Sequence, residues 1–155
     1  SERQQTSAVI IRLFYATELR YGIILDVAQK VLRRRPIDLT TGYVNQIWQG
    51  DANAYFARCF PLCDSPPPVF NLTGPEPISI RRLATRLGEL MGVEPIFEGA
   101  ESELVLLGKS DKLISLLGPP RVDLKQVTEW VASWVMNAGR VLDKPTMYER
   151  RDGRF

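Results

Sequence analysis

The sequence predicts an α/β fold of short strands alternating with amphipathic helices. Three observations carry that expectation. Residues 7–13 (S-A-V-I-I-R-L) are a run of strand-formers, and Leu19, Ile23, Ile24, Val27 and Val31 then fall on one face at helical spacing. Beyond them, extended and helical stretches follow in the order β-α-β-β-α-β-α-β-α-α, without repeats or low-complexity tracts.

Each element has a local reason. Thr17 is placed to cap the first helix and Pro36 to end it. Gly22 inside that helix costs about 1 kcal/mol relative to alanine, which suits a close approach of backbone or ligand there. Residues 37–39 and 43–48 are short extended pieces around the turn Thr40-Thr41-Gly42. Asp51 is expected to cap a helix over 52–60. A proline-rich loop (63–68) leads to a strand over 69–72 and a loop over 73–77. Ser79 caps a helix whose inner face is Ile80, Leu83, Leu87, Leu90 and Met91, and Gly92 stops it. A strand over 95–98 follows. Ser110 opens a helix over 111–117 that Gly118-Pro119-Pro120 ends. Asp123 and Gln126 resemble a capping box for the last helix, with Leu124, Val127, Trp130, Val131 and Trp134 inward. Residues 1–142 are expected to form one unit, and 143–155 a charged extended tail.

Composition excludes several functions. A net charge of +2, with Arg33-Arg34-Arg35 as the basic cluster, gives no field for nucleic acid or an anionic membrane. Those arginines suit a helix C-terminus. The chain has no histidine, which removes His-based acid–base, nucleophilic and metal chemistry within it. Cys59 and Cys63 sit in C-F-P-L-C, one residue wider than C-x-x-C, and are expected to be reduced thiols of a cytoplasmic protein. No apolar run approaches the roughly 18 residues of a membrane span.

Four blocks, in order, carry a resemblance. I-I-R-L-F-Y (residues 10–15) is similar to a strand reading L-R-x-x-N, and I-W-Q-G-D-A (47–52) to a V-x-D-x-A element. F-N-L-T-G-P-E-P-I-S-I-R-R-L-A (70–84) and L-L-G-P-P-R-V-D-L (116–124) match two further blocks, the second resembling L-G-w-x-P-x-x-x-L. In that order they resemble the C-terminal half of the extended short-chain dehydrogenase/reductase family, the NAD-dependent epimerases and dehydratases. The resemblance implies the last parallel strands of a Rossmann-type fold plus a small α/β substrate-binding subdomain. It also implies a missing N-terminal Rossmann half binding NAD or NADP and carrying a Y-x-x-x-K pair.

Neither signature is in this chain: no tyrosine has a lysine four residues on, and Gly108-Lys109-Ser110 lacks a P-loop's first glycine because Glu103 stands there. No cofactor is expected to bind this chain alone, and no catalytic residue is expected in it. The implied role is to bind a small hydroxylated or carbonyl substrate for hydride transfer. The alternative is a non-catalytic module for small-molecule binding or protein interaction.

By resemblance, Phe14 falls against the nicotinamide ring, and Tyr15 where an asparagine usually touches substrate. Arg20 and Tyr21 fall at the cleft, and Asn45, Gln49 and Asp51 along the next element. An arginine that grips phosphate in nucleotide-sugar enzymes is replaced around Val44-Asn45-Gln46, and residues 98–103 are acidic without arginine. A neutral or amine-bearing substrate suits this better than a nucleotide sugar. Such a chain on its own is expected to expose the edge of residues 7–13 and the apolar side of the first helix, with homo-oligomers as one outcome.

Overall fold

A computed structural model describes residues 6–102, 107–144 and 146–149; Glu103 and the arginines at 150, 151 and 154 lie outside them. The extended run at the start changes partner midway. β1 (Ile10–Leu13) pairs in parallel with β6 (Val69–Leu72), Ile10 opposite Val69. After Phe14, β2 (Tyr15–Thr17) pairs in parallel with β5 (Gln46–Trp48), Tyr15 opposite Gln46. β3 (Pro36–Asp38) lies parallel to β8 (Ile96–Glu98). β4 (Tyr43–Val44) runs antiparallel to β7 (Ile78–Ser79).

Among the described residues, five α-helices cover these pairs. α1 (Ile23–Leu32) packs on α3 (Ile80–Met91) and α5 (Leu124–Met136). Ile23, Ile24, Val27 and Val31 are fully buried there together with Leu87 and Val131. A second core joins β5 and β6 to α2 (Gln49–Arg58) and α4 (Asp111–Leu117) through Ile47, Tyr55, Phe70, Leu72 and Leu113. α3 and α5 carry the expected caps. Ser79 Oγ accepts from the Arg82 amide at 3.3 Å, and Asp123 Oδ1 from the Gln126 amide at 2.7 Å. Gly92 closes α3 at φ 67°.

Four expectations are corrected. Thr17 does not cap α1; pairing with Trp48 draws it into β2, and the helix starts five residues later behind Gly22. Pro36 does not end α1, which stops at Leu32; it opens β3, where a missing N–H is tolerated. Asp51 is not an N-cap, since α2 begins at Gln49 with Trp48 in that position. The apolar side of α1 is not exposed, because α3 and α5 cover it within this chain. The strand edge is another matter: Ile10 and Leu13 are 47% and 40% exposed, and β1 has no second partner strand among the described residues.

Residues 146–149 dock on α1. Tyr148 is buried in the helical core, and Lys30 pairs with Glu149. Asp26 accepts from the Thr146 amide at 3.2 Å and its hydroxyl at 2.5 Å. Burial nevertheless outweighs those bonds and raises the Asp26 pKa above its ordinary 3.8. A raised acid favours the folded state fully below its unfolded pKa and loses that contribution as pH rises through the folded value. Asp26→Asn is therefore expected to gain melting temperature relative to the parent as pH rises from about 4 to 7. A gap that is flat across this range would contradict the account.

Candidate functional site

The first extended run changes partner at Phe14, where the β1·β6 pair ends and the β2·β5 pair begins; in open α/β sheets ligands enter where strands of a parallel pair end. Phe14 sits at that junction, its amide donating to Leu72 O at 3.0 Å. Its ring lies against Gly108. A Cβ at 108 would come within 2.8 Å of Phe14 Cε2 and Cζ, so any larger residue there would have to push the ring aside. Asn45, 4% exposed, fixes the same glycine from the other side. Asn45 Nδ2 donates to Gly108 O at 2.7 Å and to Gly74 O at 3.4 Å, while Oδ1 accepts from the Gly108 amide at 3.2 Å. The Asn45 carboxamide is thus committed to backbone.

Three buried serine and threonine hydroxyls among the described residues lack a protein partner. Thr73 follows β6, Ser110 precedes α4 and Thr17 ends β2; all three are at most 3% exposed, and none of their oxygens has a hydrogen-bond partner. Buried hydroxyls in folded proteins are normally satisfied, so such groups point to water or ligand. Sequence reasoning missed Thr73, and took Ser110 and Thr17 only as helix caps. A hydroxyl residue directly after a strand was the available signal.

Tyr15 is half-buried against the helical core, and burial, with Tyr21 adding to it, raises its pKa, so the phenol stays protonated at neutral pH. Arg20 is exposed and its Nε reaches Glu18 carboxylate oxygens at 3.0 and 3.1 Å. Gln49 donates to Asn53 Oδ1 at 3.2 Å along α2. Asp51, 7% exposed, accepts from the Arg121 and Val122 amides at 3.1 and 2.9 Å. Phe14, Tyr15 and Asn45 therefore share one end of the strands, whereas Asp51 is turned to the loop before α5.

Asn45→Ala is expected to cost about 1–3 kcal/mol, because three backbone hydrogen bonds lose their partner at a buried position. Amide hydrogen exchange at Gly108 should accelerate in step. Unchanged protection there would remove the clasp from the account.

The described residues form no phosphate-cradling glycine turn, and no group of three or more His, Cys, Asp or Glu among them could hold a metal ion. No helix among the described residues is long and apolar enough to cross a membrane.

In fold, the chain is similar to a part of NAD-dependent epimerase and dehydratase structures. Over 85% of its length the chain matches UDP-glucose 4-epimerase from Thermus thermophilus in complex with NAD, at a TM-score of 0.65 and 18% identity, covering 47% of that chain. UDP-glucuronic acid 4-epimerase from Bacillus cereus, also with NAD, gives a TM-score of 0.68 at 16% identity over 84% of this chain and 45% of that one. UDP-glucose 4-epimerase from Thermotoga maritima with UDP-glucose gives 0.64 at 13%, over 84% and 46%. The chain spans a little under half the length of each. No protein-family model and no curated protein matches its sequence.

Proposed function

We propose that this chain is the substrate-binding part of an NAD(P)-dependent epimerase, dehydratase or reductase acting on a small hydroxylated or carbonyl compound. One observation carries the reading: a chain with the fold of under half of such enzymes presents the open edge of a parallel strand pair, with Ile10 and Leu13 exposed beside it. A parallel strand ordinarily has neighbours and covered faces, so further polypeptide fits that edge. That polypeptide would hold the nicotinamide nucleotide and the Tyr/Lys pair. In this reading Phe14 borders the nicotinamide, and Tyr15, Arg20 and Tyr21 line the substrate's entry. Asn45, Gln49 and Asp51 shape the walls, and the free hydroxyls of Thr73 and Ser110 meet polar substrate atoms.

The substrate in this reading is not a nucleoside diphosphate sugar. Val44, Asn45 and Gln46 offer no guanidinium, and Arg81 is paired with Glu101 at 3.3 Å. Glu98 and Glu101 beside a diphosphate would repel it.

The coding sequence ahead of Ser1 tests the proposal. An in-frame segment of similar length with G-x-x-G-x-x-G and Y-x-x-x-K is expected. The joined protein should bind NAD or NADP, measured by calorimetry, and show no saturable binding of UDP-glucose. A start codon directly ahead of Ser1, or a joined protein without nicotinamide-nucleotide binding, would overturn the enzyme reading. Tight UDP-glucose binding would overturn only the substrate class.

A further inference from the structure

A cavity of about 220 Å³ lies between β5, residues 74–78 and residues 119–124, and none of the seven residues singled out from the sequence lines it. Its walls mix polar and apolar surface, the apolar part including Trp48, Pro75, Ile78, Pro119, Pro120 and Val122. Gln46 lines it as well. That residue is 6% exposed, and its carboxamide Oε1 has no hydrogen-bond partner. The charged groups in the lining are Glu76 and Asp123, both acidic. Asp123 Oδ1 accepts from the Gln126 amide, and Glu76 makes no ion pair among the described residues.

The volume sets the size of an occupant. It falls below the roughly 300–1,000 Å³ of drug-sized sites and above the roughly 150 Å³ that admits benzene, so one ring with a short arm fits. The polar lining sets its charge. Gln46, Glu76 and Asp123 are among the lining residues and no lysine or arginine is, so an arm that donates hydrogen bonds and carries a positive charge suits the site. The walls are held in place from outside: the Gly74 amide donates to Gln46 O at 3.1 Å, and Asp51 holds the Arg121 and Val122 amides. Trp48 meets Trp130 edge to face at 5.3 Å between ring centres.

We propose that this cavity binds a small ring-bearing ammonium. The ring lies against Trp48 and the prolines, the ammonium faces Glu76 and Asp123, and a donor on the arm answers Gln46. The site is independent of the catalytic reading above.

Benzylamine, benzyl alcohol and benzoate, titrated into the 155-residue chain and followed through the Trp48 indole and Gly74 amide resonances, test it. Affinity is expected to fall from benzylamine through benzyl alcohol to benzoate. Glu76→Gln, at an exposed position that should fold normally, is expected to weaken benzylamine about two- to fivefold and leave benzyl alcohol unchanged. Gln46→Leu should weaken both amine and alcohol. Benzoate binding as well as benzylamine, shifts that map away from this cavity, no binding at millimolar probe, or Glu76→Gln without effect on benzylamine would each overturn the proposal.

Discussion

Gly22→Ala is expected to destabilise the chain by about 3–5 kcal/mol, a loss of roughly 10 °C in melting temperature for a domain of this size. Two independent penalties meet at this residue. Its backbone stands at φ 133°, ψ 168°, a region essentially closed to residues with a Cβ. The added methyl would lie 2.6 Å from Thr17 Oγ1 and 2.8 Å from Thr17 Cα. A hydroxyl can rotate away, but the Cα belongs to β2, which is fixed in register against β5. Thr17→Ala in the same chain should therefore recover only a minor part of the loss. The contact joins the end of β2 to the start of α1, so strain there reaches both the buried helical core and the strand that begins with Tyr15. A melting temperature within about 2 °C of the parent would show that the turn relaxes freely, and would remove Gly22 from this role.

That same contact shows where the sequence was legible and where it was not. α3 could be read down to its caps because its determinants are local: a serine three residues before the amide it accepts from, an apolar stripe at helical spacing, and a glycine at the left-handed stop. α5 is alike, with Asp123 bonded to Gln126. Thr17 had the same local credentials as a cap, but strand pairing with Trp48, 31 residues on, overrode them. The strand run was recognisable from its composition, whereas its change of partner at Phe14 depends on the distant strands β5 and β6. In the candidate site, Phe14 and Tyr15 could be singled out from the sequence. The free hydroxyls of Thr73 and Ser110 could not, because being unpartnered is a property of the assembled surroundings. Gly108 drew attention for a phosphate-loop pattern it does not complete, and its actual partners are Phe14 and Asn45.

Asp51 is the other residue whose meaning lies far along the chain, and Asp51→Ala is expected to cost about 2–4 kcal/mol. Residues 51, 55 and 58 fall on one face of α2, by the i, i+4, i+7 spacing of a helix. All three hold the segment before α5: Asp51 accepts from the Arg121 and Val122 amides, the Tyr55 hydroxyl donates to Gly118 O, and Arg58 Nη2 donates to Leu117 O at 2.5 Å. Removing the carboxylate leaves two backbone donors without their acceptor next to a buried position, a larger penalty than the bonds themselves contribute. Asp51→Asn keeps an oxygen in reach of both amides and should lose no more than about half as much. Hydrogen exchange distinguishes this from a general loss of stability. The Arg121 and Val122 amides should lose protection in Asp51→Ala beyond the change in global stability, while amides in the middle of α1 follow the global change alone. Equal loss at both places would mean that Asp51 supports α2 itself and not the loop. A selective loss at 121 and 122 would make this carboxylate the anchor that sets where α5 begins and how Pro119, Pro120 and Val122 wall the cavity beside Trp48.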